Sequence, residues 1–336
     1  MSHQETSRLE FANACRQMLD EAEQRLDGVL KDCDAVERGS SSLIDADTES
    51  MMEEIRSAVA GMRRTVSDRR SGLGREVYLA EVESTRSVLS DVNSLYLRSM
   101  ALRDAVREAY DARISGKGSL DPRIEDIGDE RVRTMARLLS RNPAHADMPF
   151  EDLVSLAESR VDPGRKVDRS LAAPAVEEAR RMMEAERIPS ETVELVIGDG
   201  EASPLEIMDA ATSEVMDERL RRSAIAAIVR SLTSRGFIVD RSNIRHIRET
   251  DTVKLVASKP GGQTAEFSID LQGRFMYHFQ GYEGSACEKD IGPLERDLEE
   301  VYGIRMVDRE TVWRNPDRNT TMHHMEARVR RDSRCR

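Results

Sequence analysis

The chain has 336 residues, of which 34% are charged, 39% are hydrophobic and only 4% are aromatic. Many charges with few aromatic residues are typical of long, exposed helices and argue against a compact enzyme. The formal net charge of -12 argues against nonspecific binding of nucleic acid over the whole surface.

Residues 1–114 have the spacing of long helices and are predicted to form a long-helix bundle or coiled-coil arm. Apolar or small residues recur at alternating steps of three and four, the spacing by which a helix buries one seam. Because alanine and cysteine occupy half of this seam, we expect it to pack within a bundle. The seam residues are Ala12, Cys15, Leu19, Ala22, Leu26, Val29, Cys33 and Val36.

Glycines divide this helical region. Gly39 is followed by three serines, a composition that favours a turn, and Gly72 and Gly74 mark a second candidate break. We therefore expect three long antiparallel helices over residues 5–114. The sequence leaves open whether Gly72 and Gly74 bend or end a helix. It also leaves open whether the helices pair within one chain or between chains.

Residues 115–203 are predicted to be a linker followed by short helices. The linker, SGKGSLDP, lacks the full GxxxxGK[ST] spacing of a phosphate-binding loop, and no strand pattern precedes it. Proline recurs after it, and proline ends a preceding helix but is tolerated in a first turn, which predicts short helices. The prolines are Pro143, Pro149, Pro163, Pro174 and Pro189.

Residues 204–312 are predicted to form a small α+β module. A helical pattern beginning at Pro204 closes at Gly236, which fits a C-terminal cap. Apolar residues then alternate up to residue 279, and the turn-forming runs KPGGQ and DLQG separate the alternating segments, which predicts an antiparallel meander. A helix on either side can cover its apolar face, giving an α-β-β-β-β-α unit over residues 220–307.

The predicted fold class is therefore mainly α with a small α+β domain, in which a long-helix bundle precedes an antiparallel sheet flanked by helices. Residues 313–336 are interpreted as an arginine-rich tail. Its last run, EARVRRDSRCR, has the composition to contact a phosphate or an acidic partner, but a terminal run of charge is more often a solvated tail.

The run AEFSIDLQGRFMYHFQGYEGSACEKDIGPLERDLEEVYG, at residues 265–303, resembles a short, uncharacterised bacterial family of stand-alone small proteins. The family pattern is an alternating strand, a D/G turn, a second strand, G-x-x-G-x-x-C and a helix that ends near glycine. Here it matches Gly273, Gly281, Gly284, Cys287 and a helix to Gly303. Genes of that family often lie beside AAA+ ATPase genes, so the resemblance implies a partner or adaptor role and no established activity.

Cys287 is a weak candidate for a catalytic residue. It precedes a helix expected to begin near Asp290 or Gly292, with Pro293 in its first turn, and a helix N-terminus lowers the pKa of a thiol. Nucleophilic cysteine chemistry also needs a base beside the sulfur, and only His246 and His278 lie in nearby predicted strands. Free cysteine more often packs as a small apolar residue, and we expect that role here.

Neither a metal nor a cofactor is expected. His323 and His324 are weak metal candidates, because adjacent side chains point in different directions and no further ligand has a suitable spacing. The cysteines form no CxxC pair, so neither a zinc site nor a disulfide framework is indicated. The four cysteines are Cys15, Cys33, Cys287 and Cys335.

The sequence predicts a soluble, cytoplasmic protein. It contains no run close to the ~18 apolar residues of a membrane span, and its polar start, MSHQETSRLEF, lacks the apolar core of a secretory signal. We therefore expect neither a membrane partner nor a secreted form.

These patterns favour a non-enzymatic scaffold or adaptor over an enzyme. Such a protein would dock a protein partner, in line with the ATPase-containing assembly that the family resemblance implies, through exposed helix faces or an open sheet edge. The alternatives are a thiol-dependent or redox enzyme centred on Cys287, and a nucleic-acid accessory factor that uses the basic tail and the arginines near Arg245. Homo-oligomerisation through the N-terminal helices stays open.

Overall fold

The computed structural model describes residues 3–39, 44–74, 79–114, 121–166, 172–198, 202–247, 250–270, 275–282, 286–301 and 323–325. The fold is mainly helical with a small antiparallel sheet toward the C-terminus, which confirms the predicted fold class. The helices are α1 (His3–Gly39), α2 (Ala46–Gly72), α3 (Leu79–Ile114), α4 (Glu130–Ser140), α5 (Phe150–Val161), α6 (Ala173–Ala185), α7 (Ser190–Ile197), α8 (Pro204–Ser234) and α9 (Glu288–Arg296). The strands are β1 (Ile238–Ile247), β2 (Thr252–Ser258), β3 (Thr264–Ile269), β4 (Phe275–Gln280) and β5 (His323–Met325).

The chain divides into two compact units. We call Gln17–Gly72 with Val82–Val215 the bundle unit. We call Met1–Arg16, Leu73–Glu81 and Met216–Arg336 the sheet unit. Three of the four boundaries between the units fall inside α1, α3 and α8, and the fourth falls at the end of α2, so sequence position alone does not separate the units. The domain boundaries proposed from the sequence stay a prediction, and the linker residues 115–120 lie outside the described residues.

Ion pairs fix the direction of the long helices in the bundle unit. Arg56 Nη1 of α2 lies 2.7 Å from Glu37 Oε1 of α1. Near the other end of α2, Arg70 Nη2 lies 2.9 Å from Asp20 Oδ1. Residue numbers therefore fall along α1 as they rise along α2, and the two helices are antiparallel. All four side chains are partly exposed, so these pairs set direction more than they add stability.

The third long helix runs parallel to the first. Arg25 Nη1 of α1 donates to Asn93 Oδ1 of α3 at 2.5 Å. Further along both helices, Arg103 Nη1 of α3 lies 2.9 Å from Asp32 Oδ1 of α1. Because α2 is antiparallel to α1, the up-down-up order predicted for residues 5–114 is confirmed, and the pairing occurs within one chain.

The predicted seam of α1 is buried along its whole length. All eight seam residues are at most 5% exposed, and Leu19, Leu26 and Val29 are fully buried. The break predicted at the glycines is a true helix end, since α2 stops at Gly72 and α3 starts at Leu79. The alternating spacing thus identified the buried face of α1, and the glycines marked where helices end.

The middle of the chain forms short helices, as its prolines predicted. Pro149 immediately precedes α5, and Pro174 lies in the first turn of α6. Asp129 begins α4, where its Oδ1 accepts from the backbone N–H groups of Arg131 at 2.8 Å and Val132 at 3.2 Å. Such a cap satisfies amide groups that have no partner within the helix.

The sheet unit contains an antiparallel sheet in the order β1-β2-β3-β4-β5 among its described residues. The first four strands form the predicted meander, and β5 adds a short strand beside β4. Three residues are too few to show an alternating pattern, so β5 was not predicted; the rest of the tail lies outside the described residues. Side chains from β2, β3, β4, α8 and α9 form one apolar core, which includes Ile228, Leu232, Phe237, Leu255, Phe267, Phe275, Tyr277, Phe279, Cys287, Leu294 and Leu298.

Leu26→Ala should destabilise the bundle unit by roughly 3 kcal/mol, because it removes a fully buried side chain and leaves a cavity. The matched control is Leu195→Ala in the same unit, where the side chain is 80% exposed and the expected change is below about 0.5 kcal/mol. Urea denaturation followed by circular dichroism measures both. Equal losses of stability in the two variants would contradict the buried seam.

Candidate functional site

Cys287 lies immediately before α9 and is buried in the core of the sheet unit. Its side chain is 2% exposed and packs in the same cluster as Tyr277 and Phe279. Its backbone carbonyl accepts from the N–H of Ile291 at 2.9 Å, the first bond of the helix. The helix therefore begins at Glu288, earlier than the sequence predicted. The thiol fills space between the sheet and the helix, so it has little access to solvent.

The proline of α9 lies deeper in the helix than expected. Because α9 begins at Glu288, Pro293 falls inside the helix and not in its first turn, which corrects the sequence prediction. A proline at this position removes one backbone hydrogen bond, and its ring crowds the carbonyl group of the preceding turn. The chain passes into a π-helical turn, Asp297–Val301, directly after α9.

Gly281 is the motif glycine whose role the structure explains. It has φ +79, and a Cβ atom there would lie 2.6 Å from the carbonyl oxygen of Gly262. Both the backbone angle and the lack of space favour glycine. Gly273 and Gly284, the other glycines of the motif, lie outside the described residues. The motif thus includes one position that packs two turns of the chain tightly together.

A cluster of polar groups holds the start of α9 against the sheet. Lys259 Nζ donates to both carboxylate oxygens of Asp290, at 2.8 and 2.7 Å. Tyr282 Oη donates to Asp290 Oδ2 at 2.5 Å. Burial and the Asp290 carboxylate raise the pKa of Tyr282 far above its ordinary value. Asp290 already accepts three hydrogen bonds, so this carboxylate is poorly suited to act as a base for Cys287.

The candidate histidines do not join Cys287. His278 lies in β4 between Tyr277 and Phe279, and alternation along a strand turns its side chain to the opposite face of the sheet. His246 pairs with Val253, whereas Lys259 at the α9 end is six residues further along, roughly 20 Å in an extended strand. The cysteine–histidine pair that a nucleophilic enzyme needs is therefore not assembled among the described residues.

A second charged cluster, which the sequence reasoning missed, joins α8 to the turn between β1 and β2. Arg221 is only 4% exposed, and its Nη1 donates to the carbonyl oxygen of Asp251 at 2.9 Å and to Asp251 Oδ1 at 3.1 Å. Its Nη2 pairs with Glu218, and His246 Nε2 lies 2.6 Å from Asp251 Oδ1. The only sequence signal was the three-residue spacing of Glu218 and Arg221 on one helix face.

Asp251 titrates abnormally in this cluster. Burial by itself raises the pKa of its carboxyl, but the hydrogen bonds from His246 and Arg221 outweigh burial and lower the pKa below its ordinary value. Asp251 also has φ 45, an uncommon backbone angle for a residue other than glycine. The cluster thus holds a strained turn in place, which is a structural role.

The bundle unit contains its own buried polar network, also missed from the sequence. Asn93 is fully buried; its Oδ1 accepts from Arg25, and its Nδ2 donates to Asp209 Oδ1 at 3.0 Å and Thr212 Oγ1 at 2.9 Å. Ser90 Oγ donates to Asp209 Oδ2 at 2.5 Å. Each of these groups has an internal partner, so the network specifies how α1, α3 and α8 align and does not resemble a ligand site.

The part of the chain that the structure describes contains no group of three or more His, Cys, Asp or Glu residues placed to hold a metal ion. His323 and His324 lie in β5, where the backbone of His324 is opposite that of His278. A search of the described helices also finds none long and apolar enough to cross a membrane.

The two faces of the sheet differ strongly. α8 and α9 cover the apolar face, whereas the opposite face, which we call the outer face, is exposed or half-buried. Met276 on the outer face is 44% exposed, and the Lys254 side chain is 46% exposed. On β2, β3 and β4 the outer face includes Lys254, Val256, Glu266, Ser268, Met276 and His278.

The outer edge of β1 is interrupted by a bulge. Val239 of β1 pairs with Ala257 of β2, and Ile244 pairs with Leu255. Only Val256 lies between the two partners on β2, whereas four residues lie between Val239 and Ile244 on β1, so these four oppose Val256 alone. Asp240 Oδ1 accepts from the backbone N–H of Ser242 at 2.9 Å and stabilises the bulge. A bulge of this kind prevents continuous pairing with another strand. The open edge expected from the sequence is therefore blunted on the β1 side.

No protein family model, curated protein or solved structure matches this chain. The resemblance of residues 265–303 to a small bacterial family stays a prediction. Function is therefore inferred from the clusters and surfaces described above.

We expect Cys15, Cys33 and Cys287 to react slowly with a thiol reagent, because all three are buried and burial raises the pKa of Cys33 to about 11. In a Cys335→Ser variant at neutral pH, each should react at least ~100-fold more slowly than glutathione with 5,5'-dithiobis(2-nitrobenzoate). The same variant in urea gives the total thiol count. Rapid labelling of Cys287 in the native protein would restore the enzyme alternative.

Arg221→Leu should destabilise the sheet unit by roughly 3 kcal/mol, because it leaves Glu218 and Asp251 without their buried partner. Arg222→Leu is the matched control, since Arg222 bonds the same Glu218 at 2.8 Å but is 46% exposed, and its loss should cost below about 1 kcal/mol. Hydrogen exchange of the β1 and β2 amides measures both.

The contribution of the cluster should also depend on pH. Because the pKa of Asp251 is lower in the folded state, its stabilising effect is complete above about pH 5 and is lost as the pH falls through the folded pKa. Equal acceleration of amide exchange in Arg221→Leu and Arg222→Leu would contradict the role of the cluster. So would an Asp251→Asn variant whose stability falls at acid pH as much as that of the parent protein.

Proposed function

We propose that the protein is a non-enzymatic adaptor that docks a protein partner on the outer face of its sheet. The observation that carries this proposal is the asymmetry of the sheet, with one face sealed by α8 and α9 and the other exposing Met276 among polar side chains. Methionine is enriched in protein interfaces relative to the rest of the protein surface, so Met276 is the side chain on which we centre the interface.

The surroundings of Cys287 support an adaptor over a thiol enzyme. The thiol is buried, neither candidate histidine lies beside it, and Asp290 is occupied by Lys259 and Tyr282. A nucleophilic site needs a reachable sulfur and a base in contact with it. The arrangement fits a packing role for Cys287 and leaves the surface as the place of function.

The bulge in β1 supports docking on the face of the sheet over addition of a strand to its edge. Residues 240–243 interrupt the hydrogen-bonding register that an added strand would need. The outer face has no such interruption across β2, β3 and β4, since their pairing is continuous. A partner therefore meets a regular surface there.

The family resemblance of residues 265–303 supports an ATPase-containing assembly as the partner, and we propose the cytoplasm as its compartment. The resembling segment includes β3, β4 and α9, which lie in the sheet unit that carries the outer face. A partner of that kind would explain a surface formed on a rigid module, since rigid elements position an interface well.

Affinity purification from the native cell, followed by mass spectrometry and reconstitution with the purified partner, tests the adaptor function. We expect a stoichiometric partner that Met276→Asp releases. Leu195→Asp is the matched control, because Leu195 is also exposed but lies in the bundle unit, and it should retain the partner. A preparation with no partner at moderate salt would contradict the adaptor function. A partner that survives Met276→Asp would place the interface elsewhere.

A further inference from the structure

Two cations lie directly opposite each other at the β1 side of the outer face. Arg245 of β1 pairs in register with Lys254 of β2. Residues opposite each other in antiparallel strands point to the same face, and the flanking Val253 and Leu255 point into the core. The Arg245 and Lys254 side chains therefore share the outer face, with Cβ atoms roughly 5 Å apart.

Such a pair opposes folding, because like charges directly opposite on two strands repel each other. Nearby oxygen acceptors relieve the repulsion only weakly. Lys254 Nζ lies 3.6 Å from Glu266 Oε1, and Arg245 Nε makes a long bond of 3.4 Å to the carbonyl oxygen of Ser242. Functional sites are among the places where proteins keep an arrangement that costs stability.

The bulge, which precedes Arg245 in the chain, contributes a third cation. Arg241 lies in the bulge, is exposed, and makes no hydrogen bond or ion pair within the described part of the chain. Its neighbour Asp240 accepts from both the N–H and the hydroxyl of Ser242, so that carboxylate serves the turn. We call Arg241, Arg245 and Lys254 the basic patch.

Three other cations of the sheet unit have close acidic partners. Lys259 holds Asp290, Arg221 holds Asp251, and Arg235 Nη2 lies 2.7 Å from Asp297 Oδ2. The basic patch differs from these pairs because its charges are exposed and incompletely balanced. It is a local exception in a chain whose net charge is -12.

We propose that the basic patch binds an acidic segment of the protein partner, lying across β1 and β2 on the outer face; this deepens the proposed adaptor function and rests on it. Charge complementarity identifies the chemistry of the partner, with glutamate or aspartate side chains facing the patch and an apolar side chain beside Val256.

Nucleic acid fits the same patch poorly. Sequence-tolerant binding of single strands uses exposed aromatic side chains on which bases stack. The aromatic residues of the described strands, Phe267, Phe275, Tyr277 and Phe279, are all buried on the opposite face. Three cations within a strongly acidic protein also provide little attraction for a long polyanion. Peptide carboxylates are therefore the better match.

Fluorescence anisotropy with the full-length protein tests this proposal. The probe is a fluorescein-labelled peptide of alternating glutamate and valine, and the comparison probes are a lysine–valine peptide, single-stranded DNA and duplex DNA. We expect the glutamate peptide to bind, with an affinity that falls as the salt rises from about 50 to about 300 mM. Arg245→Thr should weaken binding about fivefold or more. Lys289→Thr, which removes an exposed cation outside the patch, should leave binding unchanged.

Amide exchange distinguishes a variant that has lost binding contacts from a variant that has lost folded structure. Because Arg245→Thr removes the repulsion with Lys254, the β1 and β2 amides should exchange with solvent no faster than in the parent protein. Faster exchange in that variant would direct the test to Lys254→Thr, which should weaken binding by a similar factor. Absence of binding to the glutamate peptide, equal weakening by Lys289→Thr, or tighter binding of DNA would overturn the proposal.

The two proposals fail in different ways. A stoichiometric cellular partner together with no binding of the glutamate peptide leaves the adaptor function intact and removes the acidic segment. Loss of the natural partner in Arg245→Thr supports both. A preparation without any partner removes the adaptor function, while the peptide experiment still decides whether the patch binds carboxylates.

Discussion

A sheet that is apolar on one face must have that face covered, and most features of the sheet unit follow from this constraint. The aromatic residues of β3 and β4 need helices against them, so α8 and α9 pack there. The turn into α9 then places Cys287 inside the core. Strand alternation sends His278 to the other side. The same constraint that buries the thiol thus leaves the outer face, which is exposed or half-buried, as the less covered side of the sheet.

The bundle unit is packed as regularly as the sheet unit, but with smaller apolar side chains. Its first helix offers a seam in which alanine and cysteine replace larger side chains, so less apolar area is buried for each turn. Close approach of the helices and specific polar contacts compensate for the smaller buried apolar area. The Asn93 network aligns three helices at once. A seam of small residues specifies that alignment poorly, because it lets the helices slide past one another. Ion pairs between partly exposed side chains of α1 and α2 add to the antiparallel alignment of these two helices.

The regular parts of this fold were predictable from the sequence, and the irregular parts were not. Periodic spacing identified the α1 seam, and turn residues separated β2, β3 and β4. The Arg221 cluster was not predicted, because Arg221 and Asp251 are distant in sequence and only folding brings them together. The bulge in β1 was not predicted either, since residues 240–243 carry no apolar alternation that a register could use. Burial of Cys287 was expected from the general behaviour of cysteine, but its packing beside Tyr277 required the structure.

The bulge of β1 also bears on how copies of this protein can assemble. A regular edge strand can recruit another edge, and each addition exposes a new one, so the growth has no natural end. The insertion at residues 240–243 removes that route on the β1 side of the sheet. Two copies that pair through the same face behave differently, because each copy then covers the face of the other and the pair closes. Pairing of that kind would stop at two copies, whereas growth through regular edges would continue.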